Sequence, residues 1–214
     1  MDDILREKAS FYDRINGLLP LYETVKDLVI KIETFDEKEE VYVAPMNEMR
    51  STLDHIFRAI KYSNNQTKCD EALIGAKEHL ERAAYDSYDL LAKILGKQVK
   101  TKTAPYDLDA LNASLPEYFH EIKPKIHEIQ MKIISLRKIR DLRNETYLST
   151  YDDMIIQLWN MNTLIDSRIS SLVEYQEKKK REKKKERFWQ YLIGPVIGFA
   201  FATIIALLTW FLTK

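Results

Sequence analysis

Residues 178–214 read KKKREKKKERFWQYLIGPVIGFAFATIIALLTWFLTK. From Tyr191 to Thr213 there are 23 residues without a charge, and 12 of them are Leu, Ile, Val or Phe. As a helix rising ~1.5 Å per residue, such a stretch covers ~35 Å, enough for a hydrocarbon core of ~30 Å with some tilt. At about −0.3 to −0.6 kcal/mol each on an insertion scale, the 12 apolar residues favour the bilayer by roughly 4–7 kcal/mol. Phe188, Trp189 and Tyr191 at one end and Trp210 at the other suit the two interfaces. A soluble core helix rarely runs beyond ~20 residues without a charge. The pattern predicts a single membrane-spanning helix in the manner of a tail anchor. Met1-Asp2-Asp3 is acidic and begins no hydrophobic segment, which argues against a signal peptide.

Just before the span, residues 178–187 hold eight basic and two acidic side chains. Positive flanks stay on the cytoplasmic side. The charge pattern therefore predicts a single-pass protein of the cell inner membrane with its N-terminal body in the cytoplasm. The basic members are Lys178, Lys179, Lys180, Arg181, Lys183, Lys184, Lys185 and Arg187. They are candidates for contact with anionic lipid, at about 1 kcal/mol per residue near the surface, or serve as a plain topology signal; the two roles are compatible. Cys69 is the single cysteine, so there is no disulfide framework.

The formal net charge of zero hides a division. The collar carries +6 and Lys214 adds +1, which leaves 24 basic and 31 acidic residues in the first 177, a net of −7. An acidic body argues against broad electrostatic binding of nucleic acid.

That body predicts an all-α fold. Its expected division is a cytosolic helical bundle over 1–176, a basic juxtamembrane collar over 177–187, and a transmembrane helix over 188–214. Only five glycines occur in the chain, and apolar residues recur at steps of three and four. Helix signals run through Phe11, Ile15, Leu18, Tyr22, Val25, Val29 and Ile32, with a break expected at Gly17 and Pro20. Residues 33–40 read as a loop, and only Val41-Tyr42-Val43 looks strand-like. A second helix is expected from Pro45 or Asn47 to about Ser63, with Met49, Leu53, Ile56 and Ile60 marking its core face. The third keeps unbroken spacing through Cys69, Leu73, Ala76, Leu80, Ala83, Ser87, Leu90 and Ile94, with Gly96 as its C-cap and a loop over 98–106.

Pro116 fits a first helical turn, and Pro124 should kink or restart a helix. Ile122, Ile126, Ile129, Ile133 and Leu136 continue the apolar stripe. Residues 143–150 read as a turn, and Ser149 with Asp152 resembles a capping box. A long stalk helix is expected from Tyr151 into the membrane, with a bend at Gly194-Pro195 and a seam of Ile155, Leu158, Ile165, Ile169 and Leu172. Asn162 either fixes register or oligomer state within that seam or faces a loop or water.

Signals for chemistry are sparse. There is no glycine-rich phosphate loop, and the four histidines and one cysteine lack metal-ligand spacing, so neither cofactor nor metal is expected. Two polar stripes offer a ligand surface. One holds Asn47, Arg50, Asp54, Arg58 and Lys61, the other His79, Arg82, Asp86, Asp89 and Lys93. If they met, Arg50, Arg58, Lys61, His79 and Arg82 could grip a phosphate-bearing ligand. The alternative is intrahelical ion pairing on solvated faces. Within the span, Gly194, Gly198, Ala202 and Ala206 fall at steps of four, a small-residue ridge that predicts a homo-oligomer. Thr203 and Thr209 could add hydrogen bonds between helices.

Residues 47–61, NEMRSTLDHIFRAIK, place Arg50 and His55 in an Arg-x-x-x-x-His spacing. This resembles the signature of the HEPN helical ribonucleases, whose Arg and His act on the RNA backbone, usually across a dimer interface. Residues 79–91, HLERAAYDSYDLL, give a second polar helix face of the sort such bundles carry. The resemblance implies a membrane-tethered ribonuclease with Arg50 and His55 as catalytic residues, although the spacing turns His55 away from the expected core face.

In architecture and size the chain also resembles bacterial antiphage effectors, in which a helical cytosolic sensor is joined to a hydrophobic span. That resemblance implies antiviral defence. The ligand would be a nucleotide or oligonucleotide made by a partner nucleotidyltransferase, and the spans would cluster to breach the membrane. A tail-anchored adaptor without activity is the third reading.

Overall fold

The computed structural model describes residues 11–36, 43–139 and 145–213, and is helical throughout with no strand among them. A short helical turn over 11–16 precedes α1, Leu19–Phe35. It is followed by α2, Val43–Lys61, and α3, Gln66–Thr103. Next come α4, Leu108–Ser114, a π-helical turn at Tyr118–Ile122, and α5, Lys123–Ile139. The last helix, α6, runs from Glu145 to Leu212.

The 38 residues of α3 make it a spine about 57 Å long. Asn65 caps its start by accepting the Lys68 N–H at 3.1 Å. It is buried around much of its circumference because its surface is built from small residues. Ala72, Ala76, Ala83, Ala84 and Ala92 let neighbouring backbones come close. Packing is arranged in levels along this spine. Near its start, Leu18, Ala59, Cys69, Ala72, Leu73, Ala76 and Leu80 form one cluster. Val25 of α1 meets Ala83 and Ala84 at mid-length. The largest cluster follows, where Leu91, Leu95 and Val99 pack with Leu28 and Ile32 of α1, Ile122, Ile126 and Ile129, and the start of α6.

On α6 the buried residues are Tyr151, Met154, Leu158, Met161, Asn162, Ile165 and Leu172. Its direction relative to α3 is fixed by four contacts. Tyr88 donates to Asp152 at 2.9 Å, Tyr151 donates to Asp89 at 2.8 Å, Asn162 donates to the Leu95 carbonyl at 3.0 Å, and Lys102 pairs with Asp166 at 2.8 Å. Partner numbers rise together, so the two helices run parallel. Asn162 is 2% exposed, and its Nδ2 also reaches the Leu158 carbonyl at 2.9 Å. Of the two roles open to it from sequence, it takes the one inside the seam.

Several sequence expectations are corrected. Gly96 does not cap α3: the helix continues to Thr103 through most of the expected loop, because Val99 and Thr103 are buried there and Thr103 donates to the Val99 carbonyl at 2.8 Å. Residues 145–150 are helical rather than a turn, and Ser149 and Asp152 lie inside α6 rather than forming a cap. Residues 37–42, covering part of the expected loop and strand-like segment, lie outside the described residues, as do 140–144; Val43 already begins α2.

The core face of α2 differs too. Pro45, Thr52 and Ala59 are buried against α3, while Leu53, Phe57 and Ile60 are 51%, 60% and 48% exposed. Close approach to the small-residue surface of α3 selects small side chains at the contact. Leu53, Phe57 and Ile60 face outward with Met46, whereas Met49 and Ile56 of the expected face are half-buried and pack against the core.

Two proline readings hold. The chain turns at Gly17-Leu18 with Pro20 in the first turn of α1. Pro124, which lacks an N–H, sits at the start of α5 after the π turn, where the helix restarts in a new register. At Gly194-Pro195 no break interrupts α6.

The packing predicts unequal costs for truncation. Ile165→Ala should destabilise the chain by about 2–5 kcal/mol through the cavity it leaves. Leu53→Ala should change it by under about 0.5 kcal/mol. Denaturant unfolding of the full chain in micelles checks both, and equal losses would contradict the assigned faces.

Candidate functional site

Two places gather the residues that carry chemistry. The first is the α2–α3 contact. His55, one turn before Ala59, lies across α3 at Gly75, where a Cβ would collide with the imidazole ring. The ring stacks obliquely on His79 with centroids 5.1 Å apart. His79 Nδ1 meets Glu48 Oε2 at 2.7 Å, and Arg82 Nε reaches the same oxygen at 3.4 Å. Glu48, His79 and Arg82 therefore tie α2 to α3, with His55 slotted beside them. Burial lowers the His55 pKa from 6.5, and the His79 and Arg58 charges push it the same way. Its Nδ1 is buried and has no hydrogen-bond partner among the described residues.

This arrangement joins none of Arg50, Arg58 and Lys61 to His79 or Arg82 by a hydrogen bond or ion pair. The first stripe, with Arg50, Arg58 and Lys61, is exposed on the outward side of α2, whereas His79 and Arg82 point at Glu48 from α3. The arrangement corrects the direction of His55, which packs toward α3 rather than away from the core. Five positions apart on a helix, Arg50 and His55 stand ~140° around the axis from each other. No hydrogen bond joins them, and one chain does not bring the two into a common site. Among the described residues no three His, Cys, Asp or Glu side chains converge as metal ligands would.

The second place is α6 beyond the body. It contains a helix long and apolar enough to cross a membrane, and its apolar window is wholly unburied. The last grip of the body on it is at Lys179. That ammonium lies between Asp107 and Asp109 and bonds Asp107 at 2.8 Å, while Gln176 donates to the Pro105 carbonyl at 2.9 Å. The lysine lowers the Asp107 pKa, helped by the Ala110 N–H that Asp107 caps, and the two carboxylates raise that of Lys179. Among the basic residues of the collar, Lys179 is thus occupied by the body. Lys178, Lys180, Arg181, Lys183, Lys184, Lys185 and Arg187 are more open, and all but Lys180 are exposed without a protein ion pair among the described residues.

Gly194, Gly198, Ala202 and Ala206 are exposed along the span, and nothing lies within 4 Å of a Cβ built on either glycine. Thr203 donates to the Phe199 and Ala200 carbonyls, and Thr209 to those of Ile205 and Ala206. Both hydroxyls are satisfied within their own helix.

Sequence reading missed the acidic clasp at Asp107 and Asp109. Its signal was present: Asp107 is an N-cap followed by an acidic first turn, opposite the first lysines of the collar. No family model matches the sequence, and neither a curated protein nor a solved structure shows a match to it.

The His55 slot has a measurable consequence. Histidine NMR should show one imidazole titrating below 6.5, and Gly75→Ala should expel the ring and return that value upward. Since the unfolded chain takes the proton first, the body should lose stability as pH falls below about 6.5. A His55 that titrates at or above the ordinary value would contradict the slot.

Proposed function

We propose that this protein is a single-pass membrane effector, in which a ligand-responsive helical body controls the association of transmembrane helices. The supporting observation is that one unbroken helix serves both ends. Tyr151, Met154, Leu158, Ile165 and Leu172 of α6 belong to the core of the body, and the same helix continues to Leu212. A body that repacks must shift or turn α6, and a helix passes such a motion along its length. The ligand acts by binding one packing arrangement better than the other.

In this reading the basic collar holds the body on the cytoplasmic side of the cell inner membrane. The ridge at Gly194, Gly198, Ala202 and Ala206 gives the surface on which spans of several copies meet. Clustered spans that disturb the bilayer would suit antiviral defence, where membrane failure in an infected cell stops replication. A nucleotide made by a partner nucleotidyltransferase is one source of signal in this reading. The ribonuclease reading keeps a neutral imidazole at His55 but requires an Arg50 from another copy. Neutral effects of Arg50→Ala and His55→Ala on toxicity would remove it.

Transmission is tested by Lys184→Pro, which breaks α6 between clasp and span at a cost of ~3 kcal/mol of helix stability. Cells expressing the protein, challenged with virus and stained with a potential-sensitive dye, should depolarise with the natural chain. They should stay polarised with the Lys184→Pro chain, although it remains in the membrane fraction. Equal depolarisation by both chains would refute transmission through the helix.

A further inference from the structure

A cleft of about 490 Å³ opens between α3 and α5, above the start of α6. Its floor is aliphatic: Ala92 and Gly96 of α3, Ile126, Ile129 and Ile133 of α5, and Leu158 of α6. Its rim on the α3 side is a row of cations, Lys93, Lys97 and Lys100. None of these three lysines makes an ion pair among the described residues, in a body that is otherwise acidic. At the other end Asp89 is neutralised, accepting from Arg137 at 2.7 Å and from Tyr151 at 2.8 Å. The cleft is therefore apolar below, positive along one edge and closed at one end.

Gly96 points to the same use. A mid-helix glycine is worth roughly 1 kcal/mol less than alanine. Gly96 neither turns the chain nor lets another backbone approach, for a Cβ there would meet nothing within 4 Å. What its missing side chain provides is depth in the floor of the cleft.

We propose that this cleft binds an amphiphilic anion, a medium-length aliphatic chain ending in a carboxylate or phosphate. The chain would lie on Gly96 and the isoleucines of α5, and the head would meet Lys93, Lys97 and Lys100. Branched aliphatic walls favour a flexible hydrocarbon, and the absence of any aromatic lining residue leaves a nucleobase without a stacking surface. The three lysines supply point charges suited to an anionic head of either kind. Binding would press α5 and α3 onto one object and alter the floor made by α6. This names the ligand class for the proposed effector, while the binding itself stands without that reading.

The test uses the full chain in nanodiscs with a photoreactive decanoate, mapping the crosslinks by mass spectrometry. Labels are expected on 92–100 and 126–133. Decanoate and decyl phosphate should compete, and the better of the two identifies the head. Octanoate should compete about tenfold less well, as expected for two fewer buried methylenes. Decyltrimethylammonium and inorganic phosphate should not compete. Gly96→Leu and the double variant Lys97→Glu with Lys100→Glu should each cut body labelling at least tenfold. Labelling of the span reports that each variant sits in the bilayer as before. Labels confined to 191–213, undiminished labelling in the lysine variant, or competition by inorganic phosphate equal to that of decanoate would overturn the proposal. Labelling of the cleft without membrane depolarisation would leave the site standing and refute its coupling to the span.

Discussion

The parallel packing of α6 on α3 is the constraint on which the remaining structure depends. Asn162 sets its register, because a buried amide that donates to the Leu95 carbonyl would lose that bond if α6 slid by one turn of ~5.4 Å. Tyr151 and Tyr88 bond to Asp89 and Asp152 at one end of the shared surface, and Lys102 pairs with Asp166 toward the other. Between them lies an aliphatic seam worth far more than the surface ion pairs. With that register fixed, Lys179 arrives between Asp107 and Asp109, and the collar begins where the body ends.

Because the shared surface ties a core helix to a segment long and apolar enough to cross a membrane, the bundle is built in two unequal parts along α3. Toward its start, α2 and the first half of α1 surround small residues and the His55 slot. Toward its end, α6, α5 and the second half of α1 form the larger core, with the lysine-rimmed cleft at its side. Events at the cleft touch Leu158 of α6 directly, whereas events at the His55 slot reach α6 through α3 or through α1, whose Phe35 ring packs on Trp159. The outward stripe of Met46, Leu53, Phe57 and Ile60 on α2 belongs to the part farther from the span.

The sequence made some of this legible and hid the rest for identifiable reasons. An apolar helix long enough to cross a membrane, the all-α class and the seam residues Leu158, Ile165 and Leu172 follow from hydropathy and three-four spacing, and all appear in the structure. The core face of α2 is half legible: of the large apolar stripe, Met49 and Ile56 pack on the core while Leu53 and Ile60 stay exposed. Contact with the alanine-rich side of α3 instead buries Thr52 and Ala59. Gly96 resembled a helix end since glycine often stops a helix, yet the packing of Val99 and Thr103 carries α3 onward. The cleft is the hardest feature to see in the sequence. Lys93 falls on a polar stripe of α3, and only the antiparallel placement of α5 turns it, with Lys97 and Lys100, into one edge of a cleft.

The central claim is that α6 runs as one rigid helix from the core through the collar. Spin labels at Ser170 and Glu186, both exposed, in a Cys69→Ser background test it directly by electron–electron distance measurement in nanodiscs. A continuous helix places the two Cα atoms ~24 Å apart and predicts a single narrow distribution around that separation. A broad distribution, or one centred well below it, would show a joint between body and span and contradict the account.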